Sequence, residues 1–240
     1  MRLRWHSICL NVFQEEKMKR LSLVLVLLVA AGLMPLSSQS VNFKAGVFIP
    51  SMESELWDIN LSNLNFSKAD MVDVYYTAEY EQFINRFLAV GLEGGIYKQE
   101  IFSAYRDFVF EDDTPIEQNL SLRITSLELN IRLYPMGIRK TVYPYISAGP
   151  GIYFWKYEQW GYFIDSIDGT VDQGFADSSR VALGFNARAG LVARIGKTTG
   201  VSFEAKYLYL KDNLSDLFQD FDKLDMNGLS FNFGIHFFIW

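Results

Sequence analysis

The feature that most restricts this chain is a period-two alternation that recurs eight times. In the last of these segments, Gly228 to Trp240, the residues Leu229, Phe231, Phe233, Ile235, Phe237 and Ile239 share one parity. Ser230, Asn232, Gly234 and His236 share the other. Side chains alternate across a strand, so the pattern specifies a β-strand with one apolar face and one polar, small-residue face. Such a strand leaves an apolar edge open to aggregation unless a neighbour pairs it and another phase covers it.

Seven earlier segments repeat the theme. Val41–Ile49 sets Phe43, Ala45, Val47 and Ile49 on one face, and Val72–Gln82 sets Val74, Tyr76, Ala78 and Tyr80 against Asp73, Thr77, Glu79 and Glu81. Phe87–Tyr97 sets Leu88, Val90, Leu92 and Ile96 against Ala89, Gly91, Glu93 and Gly95. In Leu120–Tyr134, Leu127, Leu129, Ile131 and Leu133 oppose Glu128, Asn130 and Arg132, while Leu120, Leu122 and Ile124 fall on the other parity. That switch predicts a β-bulge near Thr125–Ser126. Tyr145–Trp155 is irregular, with Gly149, Pro150 and Gly151 at its centre. Val181–Ile195 and Val201–Leu210 alternate cleanly, with Asn186, Arg188, Arg194, Glu204 and Lys206 on the polar face.

The connections alternate as well. Long gaps (50–71, 98–119, 156–180, 211–228) take turns with short ones (83–86, 135–144, 196–200). Eight such segments with short turns at one end and long loops at the other predict an all-β fold. Its form is an eight-stranded antiparallel up-and-down transmembrane β-barrel, closed by pairing the last strand with the first. A secreted soluble barrel of lipocalin-like form would show the same period with the apolar face turned inward. Three features favour the inverted, lipid-facing arrangement. The second face holds Gly, Ala, Ser and paired charges. The long loops fall on one side. Aromatics cluster near strand ends (Tyr75, Tyr76, Phe83, Phe87, Tyr134, Tyr143, Tyr145, Tyr153, Phe154, Trp155, Tyr207, Tyr209, Phe237), as in an interfacial girdle.

The N-terminus reads as an export signal. Lys19 and Arg20 precede an apolar run from Leu21 to Met34 and a small-residue stretch ending Ser38-Gln39-Ser40. The run is too short for a membrane-spanning helix and suits a cleaved leader. The expected organisation is an N-terminal extension, 1–17, a signal peptide, 18–40, and a barrel domain, 41–240. Cys9, the single cysteine, lies in the extension, so the exported chain has no disulfide framework and no Cys-type metal site. Removing residues 1–40 takes five bases from 22 and two acids from 28, leaving 17 against 26, a net of −9. That balance excludes nucleic acid as an expected partner.

The order "YPYISAGPGIYF", "LGFNARAGLVARI", "GVSFEAKYLYL" and an aromatic C-terminus resembles the small outer-membrane β-barrel proteins of the OmpA/OmpX and opacity-protein type. The resemblance spans the exported chain. It implies residence in the outer membrane of a diderm bacterium, with outer-membrane lipids as surroundings. It also implies a C-terminal signal read by the barrel-assembly machinery, with Phe233, Phe237, Phe238 and Trp240 as its residues here. Trp240 departs from the family's usual Phe, and it sits out of phase with the Phe231–Ile239 face.

The polar face gives the candidate interior. Its acids are Asp73, Glu79, Glu81, Glu93, Glu128 and Glu204, and its bases are Lys44, Arg123, Arg132, Arg188, Arg194 and Lys206. An eight-stranded lumen is just filled by side chains, so these charges form either a structural plug or a narrow, gated path for ions. Lipid-modifying enzymes occur on this architecture, but the exported chain has one histidine, His236, and no evident serine partner. No catalytic residue, cofactor or metal is expected. The D-x-[DN]-x-[DN]-G calcium pattern is absent from "DSIDGTVDQ", whose Asp168-Gly169 suits a hairpin tip. Twenty of the 26 acids fall in the long gaps. "NLSDLFQDFDKL" spaces Leu214, Leu217, Phe218, Phe221 and Leu224 as a short helix over the barrel mouth. Trp57, Trp160, Tyr162 and Asp168 are the candidate loop residues for an extracellular ligand or partner.

Overall fold

A computed structural model of the chain describes residues 38–164, 169–215, 218 and 221–239. The expected extension 1–17 and residues 18–37 of the expected leader lie outside the described residues, whereas Gln39 and Ser40, expected in the leader, open the first strand of the barrel. Eight strands make the wall: β1 (Gln39–Pro50), β2 (Asp73–Phe83), β3 (Leu88–Ile101), β4 (Pro115–Leu133), β5 (Val142–Ile164), β6 (Val171–Arg194), β7 (Thr199–Tyr209) and β8 (Gly228–Ile239). Each pairs antiparallel with its sequence neighbours. β1 pairs β8 from Gln39↔Ile239 to Pro50↔Gly228, which closes the ring. The edge that the alternation of β8 would otherwise expose is thereby paired.

The outer surface is apolar where the alternation put it. Leu183 is 80% exposed and Phe233 68%, and Phe43, Tyr76, Ile96, Ile131 and Phe185 point the same way. Along β5 the outward apolar positions run from Val142 to Phe154. At about 3.3 Å rise per residue and a tilt of about 40°, this spans about 30 Å along the membrane normal. Lys156 ends the band, paired with Glu158 at 2.8 Å and Asp177 at 3.6 Å on the outward face.

Several expectations are corrected. β4 keeps one register with β3 and with β5 through Thr125 and Ser126, so there is no bulge. Leu120, Leu122 and Ile124 lie on the inward parity shared by Ser126, Glu128, Asn130 and Arg132. The parity never switched; the interior itself turns apolar toward the long-loop end. Arg123 therefore faces outward and is exposed. Asp73 sits half-buried at the start of β2, with its carboxylate accepting from the Val74 amide at 2.6 Å. Tyr75, Phe83, Tyr134, Tyr143, Tyr145, Tyr153 and Trp155, expected in the girdle, are buried inside. Much of the gap 156–180 is strand, because β5 and β6 stay paired out to Ile164↔Val171. Beyond the membrane a strand no longer needs outward apolar residues, so the hairpin continues while its hydropathy signal fades.

The long-loop mouth is covered by α1 (Glu55–Asn63), which turns Leu56, Trp57 and Asn60 inward. Ser67 and Asp70 then cap a 3-10 turn, Lys68–Met71, in a reciprocal capping box. The helix expected within "NLSDLFQDFDKL" is not found in its described part. Phe218 lies in a 3-10 turn, Leu214, Phe218 and Leu224 are buried, and Leu217 lies outside the described residues.

Candidate functional site

Inward glycines make room for the interior. A Cβ on Gly91 would meet Glu79 Oε1 at 2.6 Å, and one on Gly190 would meet the Tyr145 ring and the Phe203 carbonyl oxygen, each at 2.6 Å. Bulky side chains from one strand thus occupy the space that glycine leaves on another. The result is three layers of different chemistry.

The middle layer is a charge belt. Lys44 (β1) approaches Glu79 at 3.1 Å, Glu93 at 2.8 Å and Glu204 at 2.9 Å. Arg132 (β4) gives Nη2 to both oxygens of Glu79 at 2.8 Å and reaches Glu81 at 3.3 Å. Its guanidinium lies 4.3 Å over the Tyr145 ring. Arg188 (β6) contacts Glu93 at 2.7 Å and also Glu128. Lys206 (β7) contacts Glu128 at 2.7 Å, Glu93 at 3.3 Å and the Tyr75 hydroxyl at 3.0 Å. Tyr145 donates to Glu204 at 2.7 Å. The register puts Glu79 beside Glu93 and Glu93 beside Glu128, an acidic wall on β2, β3 and β4, and Arg188 beside Lys206 on β6 and β7. Like charges opposite one another destabilise a sheet. Here each wall is neutralised across the lumen. Arg194 is not in the belt; it sits nearer the short-turn mouth, 4.7 Å over the Phe238 ring.

Toward the long-loop end the belt gives way to a dry layer. Phe48, Leu120, Leu122, Ile124, Tyr153, Trp155, Leu208 and Leu210 form one buried cluster with Met52, Trp57 and Met71 of the first loop. Trp57 is wholly buried and donates Nε1–H to the Asp225 carbonyl at 2.9 Å. It therefore locks loop to loop and presents no face to a partner, contrary to its expected place. Asn60 donates to the Tyr157 hydroxyl at 2.7 Å and accepts from Gln159 at 2.8 Å.

Toward the short-turn end a third cluster joins Phe83, Tyr134, Tyr143, Tyr145, Val192 and Phe238. Phe233 and Phe237 face outward, Phe238 faces inward, and Trp240 lies outside the described residues. His236 is buried, stacks on Phe238 at 5.9 Å, and neither ring nitrogen has a hydrogen-bond partner among the described residues.

Above the lipid band, Trp160 and Tyr162, two of the expected loop residues, join an aromatic patch with Phe102, Phe110 and Phe175, which sequence reading missed. Phe102 (76% exposed) meets Trp160 edge-on at 6.4 Å, and Trp160 pairs across the ladder with Phe175 (56%). Tyr162 meets Phe110 at 5.2 Å. The available signal was the outward parity shared by Trp160 and Tyr162 with Phe154. Asp168 lies outside the described residues.

A closed antiparallel eight-stranded wall, apolar outside and filled with charge inside, defines an integral outer-membrane β-barrel. A family model described as an outer membrane protein beta-barrel domain matches residues 23–237, and the chain belongs to that family. Its place is the outer membrane of a diderm bacterium. Among solved structures it is similar to the outer membrane protein OprG of Pseudomonas aeruginosa, with 12% identity over 84% of this chain and 95% of that one and a TM-score of 0.54. It is also similar to a major outer membrane protein of Thermus thermophilus, with 10% identity over 85% and 100% of the two chains and a TM-score of 0.52. At these identities the likeness is one of fold. No curated protein sequence matches the chain.

Proposed function

We propose that this barrel is a non-catalytic envelope protein with a plugged lumen, and that it works through its outer surface. The observation that carries the reading is the dry layer between the belt and the long-loop mouth. There Phe48, Leu120, Leu122, Ile124, Leu208 and Leu210 fill the lumen with buried apolar side chains, which supports a plug over a conducting path. The exposed Phe102, Trp160 and Phe175 support contact with an extracellular ligand or partner, since the Lys156–Glu158–Asp177 charges separate them from the lipid band. Among the described residues His236 has no hydroxyl or carboxylate within hydrogen-bond distance, which supports a structural role for it. The lipid-facing Phe233 and Phe237, with Phe238 and Trp240, are proposed as the assembly signal, and residues 18–38 as the export leader, two residues shorter than expected because Gln39 and Ser40 pair within the wall. The test is conductance of the protein purified from outer membranes and inserted into a planar bilayer. A silent membrane is expected. Discrete openings that disappear on neutralising Arg188 or Glu128 would replace this reading with a narrow channel.

A further inference from the structure

A row of like charges stands on the outside of the wall, where the lipid band ends. The register sets Lys98 of β3 opposite Arg123 of β4, and Arg123 opposite Lys156 of β5. All three share the outward parity; Lys98 and Arg123 are exposed, and the Lys156 side chain is 39% exposed. Adjacent strands lie about 4.8 Å apart, so the row holds three cations within about 10 Å. Like charges directly opposite one another destabilise a sheet. Inside the barrel, the basic pair Arg188 and Lys206 is answered by carboxylates across the lumen. Outside, only the lipid can answer. We propose that this row binds a phosphate group carried by a lipid of the outer leaflet, with Arg123 at its centre.

The flanking rows fix the depth. Two residues nearer the membrane centre, the register aligns Ile96, Thr125, Phe154 and Val181. Two residues further out it aligns Glu100, Ser121, Glu158 and Asp177. The cations thus stand where acyl chains give way to headgroups. The long loops leave the wall at this end, so the leaflet is the outer one. Its anionic lipid is lipopolysaccharide, whose acylated sugar carries phosphates at this boundary.

The acids do not cancel the row. Glu100 takes Lys98 at 2.5 Å, and Glu158 and Asp177 take Lys156 at 2.8 and 3.6 Å. An ammonium has three donors, so each lysine keeps capacity for a phosphate oxygen. On β4 the outer neighbour is Ser121, and among the described residues Arg123 has no ion pair or side-chain hydrogen bond. Its guanidinium is a planar fork that matches two phosphate oxygens, flanked here by two point charges. Ile96, Leu127 and Phe154, all exposed just below, offer apolar contact to the acyl chains of the same lipid. The positive face is confined to this sector. At the long-loop end of other strands the outward residues are Ile49, Val74, Tyr209 and Leu229, and β6 contributes Ser179. The chain is acidic overall, so general attraction to an anionic leaflet does not explain the row. The inference is independent of whether the lumen conducts and of what the aromatic patch meets.

Native mass spectrometry of the protein purified from outer membranes, in detergent micelles, tests this. The probes are lipid A with its phosphates and lipid A from which they have been removed. A heat-modified gel band confirms the fold of each variant. The wild type should hold the phosphorylated lipid at least about tenfold more tightly, the worth of one hydrogen bond between charged groups. Arg123→Gln should lose about that factor, and Lys140→Gln, at the short-turn end, should bind as the wild type does. Inorganic phosphate at the concentration of the lipid should not displace it, since it brings no acyl chains. Equal affinity for the two lipids, undiminished binding by Arg123→Gln, or an equal loss in Lys140→Gln overturns the proposal. Displacement by inorganic phosphate overturns it too, in favour of a site for the soluble anion. If Arg123→Gln does not fold, the double variant Lys98→Gln/Lys156→Gln takes its place, and undiminished binding there overturns the proposal equally.

Discussion

Lys44→Met is the sharpest test of the belt as a structural element. The substitution keeps side-chain length and removes the ammonium that touches Glu79, Glu93 and Glu204 at 2.8 to 3.1 Å. Glu204 would keep only the Tyr145 hydroxyl at 2.7 Å and guanidiniums at 3.8 and 3.9 Å. Removing one partner of a buried ion pair costs about 3–5 kcal/mol, because the other charge stays behind desolvated. That is a loss of roughly a hundredfold to several thousandfold in the folding equilibrium constant. Urea titration of the barrel in lipid vesicles, followed by tryptophan fluorescence and by heat-modified gel mobility, measures the change. The double variant Lys44→Met/Glu204→Gln removes a charge of each sign, and should recover at least about 1 kcal/mol relative to Lys44→Met alone. A single-variant cost below about 1 kcal/mol, the range of a solvated surface pair, would refute the reasoning. It would mean that water reaches the belt.

Three further outcomes follow from the packing. Gly190→Ala places a methyl group against the Tyr145 ring and the Phe203 backbone, so it should cost about 1–3 kcal/mol in the same titration. Trp57→Ala empties the centre of the lid and frees the Asp225 carbonyl, so the first loop should become sensitive to limited proteolysis while the barrel band on gels is unchanged. Asp70 accepts from the Ser67 amide and hydroxyl, and these bonds hold its carboxyl below the usual carboxylate range. A lowered value in the fold means that the stabilisation is present above the unfolded value and is lost as pH falls through the folded one. Protection of the Lys68–Met71 amides, taken relative to the intrinsic exchange rate at each pH, should therefore fall on acidification, and Asp70→Asn should show the low protection at all pH.

The wall was legible because lipid and interior impose opposite demands on successive residues. The alternation of Val181–Ile195 and of Gly228–Trp240 could hardly be satisfied elsewhere. What escaped was anything that depended on the composition of the inner face. Leu120, Leu122 and Ile124 looked like a phase change only on the assumption that inward meant polar. The inward tyrosines could have been found by parity alone, since Tyr75 shares a face with Glu79, and Tyr143 and Tyr145 with Gly149. Hydrophobicity pointed the other way, toward a girdle. The belt residues were named, but not their pairing. Glu79, Glu93 and Glu128 are neighbours on adjacent strands, and their neutralisation comes from Lys44, Arg188 and Lys206 on other strands of the ring. No local pattern encodes that distance. Outside the membrane the hairpin signal faded because nothing there rewards an apolar outward face.

The two closed layers also bear on how this barrel could ever open. Neutralising Glu128 or Arg188 loosens the belt, because it breaks the ion pair between them. It leaves the apolar layer intact, because Leu120, Leu122, Ile124 and Trp155 take no part in the belt. Removing Trp57 loosens the lid but leaves Lys44 and Arg188 bridging the lumen to Glu93. The two barriers lie in series and rest on independent interactions, so relieving one does not relieve the other. Single variants of either layer should remain silent in a planar bilayer, and only a combination such as Trp57→Ala with Glu128→Gln should pass current. Current through Glu128→Gln alone would mean that the apolar layer is not a barrier, and that the belt is the gate of a channel.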